Sequence, residues 1–113
     1  MKKYHLSDIL SVTTGKLVST RHMGGIYDIL NYMTGANLKT EQLPRASEEC
    51  KPCLLEQLPQ LEDVTGDEVN GENYKEWLQF QIERFGEFFE IEKLQEGMHL
   101  EFMDIKNNTN YKK

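Results

Sequence analysis

Gly15, Gly35 and Gly86 each stand where a run of helix-compatible residues ends, and these stops restrict the chain to short helices. Glycine adopts the left-handed conformation that closes a helix at little steric cost. The first helix opens at Ser7-Asp8-Ile9-Leu10, with Ser7 as N-cap and Asp8 at the positive end of the helix dipole. Leu17 and Val18 then read as a short extended link. Met23, Ile26, Tyr27, Leu30 and Met33 recur at spacings of three and four, so they share one face of a second helix. Gly24 and Gly25 weaken its first turn by up to about 1 kcal/mol each. Two glycines there predict that some other group approaches the backbone closely.

Leu38 to Leu43 reads as a turn with Thr40 as a cap. A third helix is predicted from Pro44 to Leu58, with Pro44 tolerated in its first turn and a kink or break at Pro52. Residues 60–69 form an acidic loop, and Asn70 is the predicted N-cap of a fourth helix. Tyr74, Trp77, Leu78, Ile82 and Phe85 lie on one stripe of it, with Trp77 as the core anchor. After Gly86 the period changes to two. Phe89, Ile91, Leu100 and Phe102 alternate with polar residues around Gln95-Glu96-Gly97, which predicts a C-terminal β-hairpin. The fold class is therefore α+β: a mainly helical single domain of about four helices with a C-terminal hairpin. The domain is expected to span 1–105, with 106–113 a flexible polar tail.

At 113 residues there is material for one core. A mean hydropathy of −0.64, with no long apolar run, excludes a membrane span. Lys2 and Lys3 are followed by no apolar stretch of the secretory type, and two cysteines do not suggest a disulfide scaffold, so a cytoplasmic protein is expected.

Charge is distributed unevenly. Residues 1–46 carry six bases (Lys2, Lys3, Lys16, Arg21, Lys39, Arg45) against three acids, a net +3. Residues 47–105 carry sixteen acids against four bases, a net −12. Such a half repels phosphate backbones and speeds encounter with basic surfaces.

Four patterns invite chemistry, and each has a plainer explanation. Cys50-Lys-Pro-Cys53 has redox and zinc spacing, but the preceding residues read as helix, the neighbours are acids, and His5, His22 and His99 stand at irregular distances. Thr13-Thr14-Gly15-Lys16 echoes a phosphate-binding loop but lacks its upstream glycine, and Leu17 replaces the hydroxyl residue. His22-Met23-Gly24-Gly25 could offer backbone N–H groups to an anion at a helix start. Asp63, Asp67, Glu68, Asn70 and Glu72 crowd one loop, but position 68 is Glu where a calcium loop wants Gly. The first two helices lack the basic reading face of a helix-turn-helix. No cofactor or metal is predicted, and no catalytic residue.

Leu-Ser-Asp-Ile-Leu-Ser-Val-Thr-Thr-Gly-Lys-Leu at 6–17, Tyr-Asp-Ile-Leu-Asn-Tyr-Met-Thr-Gly at 27–35 and Gln-Leu-Pro-Arg-Ala at 42–46 carry a resemblance. The chain resembles a family of small uncharacterised proteins of bacteriophages, prophages and their bacterial hosts, more weakly so at 73–78 and 84–86. The resemblance implies a genomic setting and no mechanism. With the acidic half, it leads to the expectation of a non-enzymatic phage or mobile-element protein. Such a protein binds and inhibits a host protein with a basic surface, as an anti-CRISPR protein does by mimicking nucleic acid. The expected partner-binding residues are Asp67, Glu68, Glu72, Glu76 and Glu83. The alternative is a small DNA-binding or regulatory factor using the basic N-terminal half, although direct nucleic-acid binding is not expected. Monomer and homodimer both remain open.

Overall fold

The structure, a computed structural model, describes residues 1–94. Strand β1 (Lys2–His5) leads into α1 (Leu6–Thr14), followed by α2 (Met23–Thr34), α3 (Leu43–Gln57), α4 (Tyr74–Phe85) and β2 (Phe88–Ile91). Single 3-10 turns at Thr40–Gln42 and Pro59–Leu61 precede and follow α3. The four predicted helices are present, and with two antiparallel strands the α+β, mainly helical class holds.

α1 is the axis of the core. Every residue from Leu6 to Thr13 is buried, and the helix packs against α2, α3 and β1. A helix enclosed all round must find partners for its polar side chains, because an unpaired polar group is costly away from water. Ser7 and Ser11 meet this demand through the link that follows the helix. Ser11 Oγ donates to the Ser7 carbonyl at 2.9 Å and accepts from Val18 N at 3.0 Å. Ser7 Oγ accepts from Thr20 N at 3.2 Å. The extended link is thereby stitched along one face of α1.

The N-cap of α1 is His5, not Ser7. The cap stands two residues earlier than predicted, and the His5 imidazole Nδ1 accepts from Ser7 N at 3.1 Å. At the other end Gly15 closes the helix in the left-handed conformation, as Gly35 does for α2.

Asp8 is 1% exposed. Its Oδ1 accepts from Ser19 Oγ at 2.5 Å, and its Oδ2 pairs with Arg21 Nη2 at 2.6 Å. The approach predicted at the paired glycines is this one: a Cβ at Gly25 would collide with Asp8 Oδ1 and Ser19 Oγ, whereas one at Gly24 would meet nothing within 4 Å. The group that comes close to the start of α2 is thus a carboxylate of the protein itself, held by side chains. Arg21 continues the network through Nη1 to Asp28 at 3.0 Å, and Asp28 also takes Lys2 Nζ at 3.1 Å and the Tyr4 hydroxyl at 3.0 Å. Burial pushes the Asp28 carboxyl up, but the bonds from Arg21, Lys2 and Tyr4 outweigh it and hold the group below its ordinary value. Burial and the bond to Asp28 push the Tyr4 phenol far above its own.

α3 runs unbroken through Pro52, against the predicted kink or break. Pro52 and Glu48, whose carbonyl it deprives of a donor, are both exposed, so water can serve that carbonyl. α4 begins at Tyr74 rather than beside Asn70. Asn70 Oδ1 instead accepts from the N–H groups of Glu72 and Asn73, and Asn73 Oδ1 in turn accepts from Asn70 N at 2.7 Å. Trp77 is buried as predicted, its Nε1 donating to Glu68 Oε1 at 2.7 Å.

The strand expected at 89–92 is present as β2, one residue earlier, with Phe89 and Ile91 turned inward. Its partner here is β1, in antiparallel register with Tyr4 opposite Phe89 and His5 opposite Phe88. The predicted second arm at Leu100–Phe102, like the tail at 106–113, lies outside the described residues.

The two neighbouring glycines are expected to respond with opposite signs in urea unfolding. Gly25→Ala forces a methyl into the Asp8–Ser19 contact and lowers stability by about 1–3 kcal/mol, whereas Gly24→Ala raises it by up to about 1 kcal/mol. Asp28 supplies a second test, by its sign. A carboxyl held low in the fold stabilises above its unfolded value of about 3.9, and that contribution disappears as pH falls through the folded value. Unfolding free energy is therefore expected to drop more steeply below about pH 4 in the parent than in Asp28→Asn.

Candidate binding face on the fourth helix

Tertiary pairing changes the charge pattern of the sequence. Of the six N-terminal bases, Lys2 and Arg21 are tied to Asp28 and Asp8, and Arg45 Nε lies 3.8 Å from Glu49. Lys16 and Lys39 pair with no carboxylate among the described residues, and neither does Lys3, which lies over the Phe88 ring at 6.0 Å. Half of these bases brace the fold, and the other half pair with no carboxylate among the described residues.

The acids of the fourth helix and its leading loop are disposed differently. Asp67, Glu68, Glu72, Glu76 and Glu83 are all exposed. Burial of Trp77, Leu78 and Gln81 fixes which side of α4 faces inward. At 100° per residue, Glu76 and Glu83 fall almost opposite that side, one above the other. Phe80 lies between them, four residues after one and three before the other, with 57% of its surface exposed. Arg84 Cζ sits 5.6 Å from the Phe80 ring centre and 4.6 Å from that of Phe85, and its Nη1 donates to Gln81 Oε1 at 3.1 Å. It pairs with no carboxylate among the described residues, so it braces the aromatic rings and leaves the glutamates uncompensated.

The five acids are not equivalent. Glu72 and Glu76 accept no hydrogen bond from the described residues, while Glu83 takes a long one from Gln79 at 3.4 Å. Glu68 is committed to holding Trp77. Asp67 stands apart in a crevice with Thr13, Lys51 and Glu62. Glu76 and Glu83 flank Phe80 on the outward line of α4, and Glu72 is exposed just before the helix begins. Phe80 went unnoticed in the sequence, although its position off the 74/77/78/82/85 stripe marks it.

The other patterns resolve into structure. Cys50 is wholly buried, and burial, reinforced by Glu49 and Cys53, pushes its thiol up to about 12. Such a thiol is a poor nucleophile and a poor metal ligand. Cys53 Sγ accepts from Gln57 Nε2 at 3.3 Å. Among the described residues, no three His, Cys, Asp or Glu side chains converge on a metal position. Lys16 N bonds to Thr14 Oγ1 at 3.1 Å, which turns the Thr-Thr-Gly-Lys segment in on itself. Ser7, His5 and Glu87 form a row the sequence did not reveal, with Nδ1 2.8 Å from Ser7 Oγ and Nε2 3.2 Å from Glu87 Oε2. The order resembles nucleophile, base and acid. Ser7 is fully buried in the first turn of α1, however, and its Oγ is bound to the backbone of the link, so the row serves as a helix cap.

No helix of the described residues is long and apolar enough to cross a membrane. The model of a domain family of unknown function, DUF7736, matches residues 4–64, more than half of the chain, and the chain belongs to that family. No curated protein and no solved structure matches it.

The thiols provide a check on this reading. At pH 8, iodoacetamide is expected to leave Cys50 of the native protein unmodified and to alkylate it fully in denaturant, as measured by mass spectrometry of peptides.

Proposed function

We propose that this DUF7736 protein is a non-enzymatic binding protein of bacteriophage or prophage origin that occupies, and thereby inhibits, a basic surface of a protein in the host cytoplasm. The observation that carries the reading is the outward line of α4, where uncompensated Glu76 and Glu83 flank an exposed Phe80. Interfaces draw most of their energy from a few apolar or aromatic anchors, surrounded by a polar rim that excludes water. Charge on that rim steers encounter and selects a partner of opposite sign. Glu72, exposed just before the helix begins, adds negative charge at its N-terminal approach. A surface that normally takes nucleic acid presents cations in such a row, so carboxylates standing where phosphates would lie account for inhibition, as in an anti-CRISPR protein. The phage setting rests on the sequence resemblance at 6–17, 27–35 and 42–46.

The DNA-binding alternative loses support from the internal pairing of Lys2, Arg21 and Arg45, since phosphate affinity requires free cations. An electrophoretic shift with duplex DNA at low salt would revive it.

The test is affinity capture from host lysate at two salt concentrations, followed by measurement of the captured complex with variants. Phe80→Ser is expected to weaken binding by about thirty-fold, the loss typical of an interface anchor. Glu76→Lys with Glu83→Lys is expected to slow association and to flatten its salt dependence. Both changes lie on the surface, so unfolding free energy should move by no more than about 0.5 kcal/mol. A partner whose affinity ignores salt and all three substitutions would overturn the reading.

A further inference from the structure

The C-terminal end of α1 borders a groove of about 520 Å³ against the starts of α2 and α3. That volume lies within the range of small-molecule sites, roughly 300–1,000 Å³. Val12, Ile26 and Leu43 line it, together with Leu17 and Met23, two of the large apolar side chains that remain exposed. An apolar body in the groove would remove that surface from water. Lys16 and Lys51 line the same groove, and neither pairs with a carboxylate among the described residues. Glu48 borders it on the α3 side. Thr13 and Lys51 also line the neighbouring crevice that holds Glu62 and Asp67, so a negative group is confined to the Lys16 side of Lys51.

Thr13 adds an independent observation. Ser11 and Thr14 donate back to the carbonyls of Ser7 and Leu10, in the usual manner of hydroxyls inside a helix. Thr13, which lines the groove and is 3% exposed, does not. Its Oγ1 is the one buried side-chain polar atom among the described residues without a hydrogen-bond partner. Buried hydroxyls are nearly always satisfied, and threonine in a helix divides between two rotamers, so this group can turn to meet an acceptor.

We propose that this groove binds a small apolar acid: a molecule with a hydrocarbon or aromatic body and a single carboxylate, phosphate or sulfonate. The body lies over Val12, Leu17, Met23 and Ile26, the acid group sits between Lys16 and Lys51, and Thr13 donates its free hydrogen bond to it. α1 ends here, and the end of a helix carries partial negative charge, so the lysines hold the anion and the helix does not. The site is independent of the α4 face and survives if that reading fails.

Titration of the 15N-labelled full chain with decanoate, kept below its micelle concentration, tests the proposal. Saturable one-site shifts are expected within 13–17, 23–26 and 43–51. Decyltrimethylammonium, with the same body and opposite charge, is expected to bind at least about ten-fold more weakly, as is decanoate to the exposed double variant Lys16→Glu, Lys51→Glu. Thr13→Val keeps the side-chain shape. It should weaken decanoate several-fold without lowering the thermal midpoint, which separates loss of a ligand contact from loss of fold. No saturable binding, equal affinity for the cationic probe, an unaffected lysine variant, or shifts centred elsewhere would each overturn it.

Discussion

A single carboxylate, that of Asp8, dictates how the first half of the molecule is arranged. An ionised group removed from water must be paired, and deleting one partner of such a pair typically costs about 3–5 kcal/mol. Ser19 and Arg21 supply the partners, which fixes the course of the link between α1 and α2. The carboxylate also needs space, and Gly25 supplies it by having no side chain. Arg21 then draws in Asp28, and Asp28 draws in Lys2 and Tyr4. One buried charge thus binds β1, α1, the link and α2 into a unit, and all of these residues except Lys2 fall within the span that the family model matches.

Much of this was legible in the sequence. Residue spacing and glycine stops located three of the four helices, because amphipathic periodicity and glycine caps are local signals that need no tertiary partner. The two glycines of α2 announced a close approach but not by what, since Asp8 comes from a different helix. The capping role of His5 was hidden for a related reason: its imidazole is held by Glu87, more than eighty residues away along the chain. β1 was missed because four residues, Lys2–His5, make too short a run for period two to stand out. Pro52 was expected to break α3 by its intrinsic cost, which the solvent-facing position of its lost hydrogen bond relieves.

Charge was the least reliable guide. Counting along the chain gives a basic segment and an acidic one, but a count cannot distinguish a cation that faces solvent from one clamped between carboxylates. Lys2, Arg21 and Arg45 do structural work, whereas Glu72 and Glu76 do none that the described residues show. An acid without an internal partner is free to meet an external one. Of the five acids selected from sequence, Glu68 turned out to anchor Trp77 and Asp67 to face a different crevice, while Phe80, never selected, stands exposed between Glu76 and Glu83.

The pairing of β1 with β2 joins residues 2–5 to residues 88–91, and the bond from Leu6 N to the Glu87 carbonyl at 2.7 Å fastens the junction. On the ribosome the first strand emerges long before its mate. α1 must gather its neighbours while its leading edge is still open, and the clasp snaps shut only when translation has passed Ile91. Contacts so distant along the chain form late and slow the final step of folding. Nascent chains stalled before residue 88 should therefore hold a helical body whose N-terminal strand remains open to proteases.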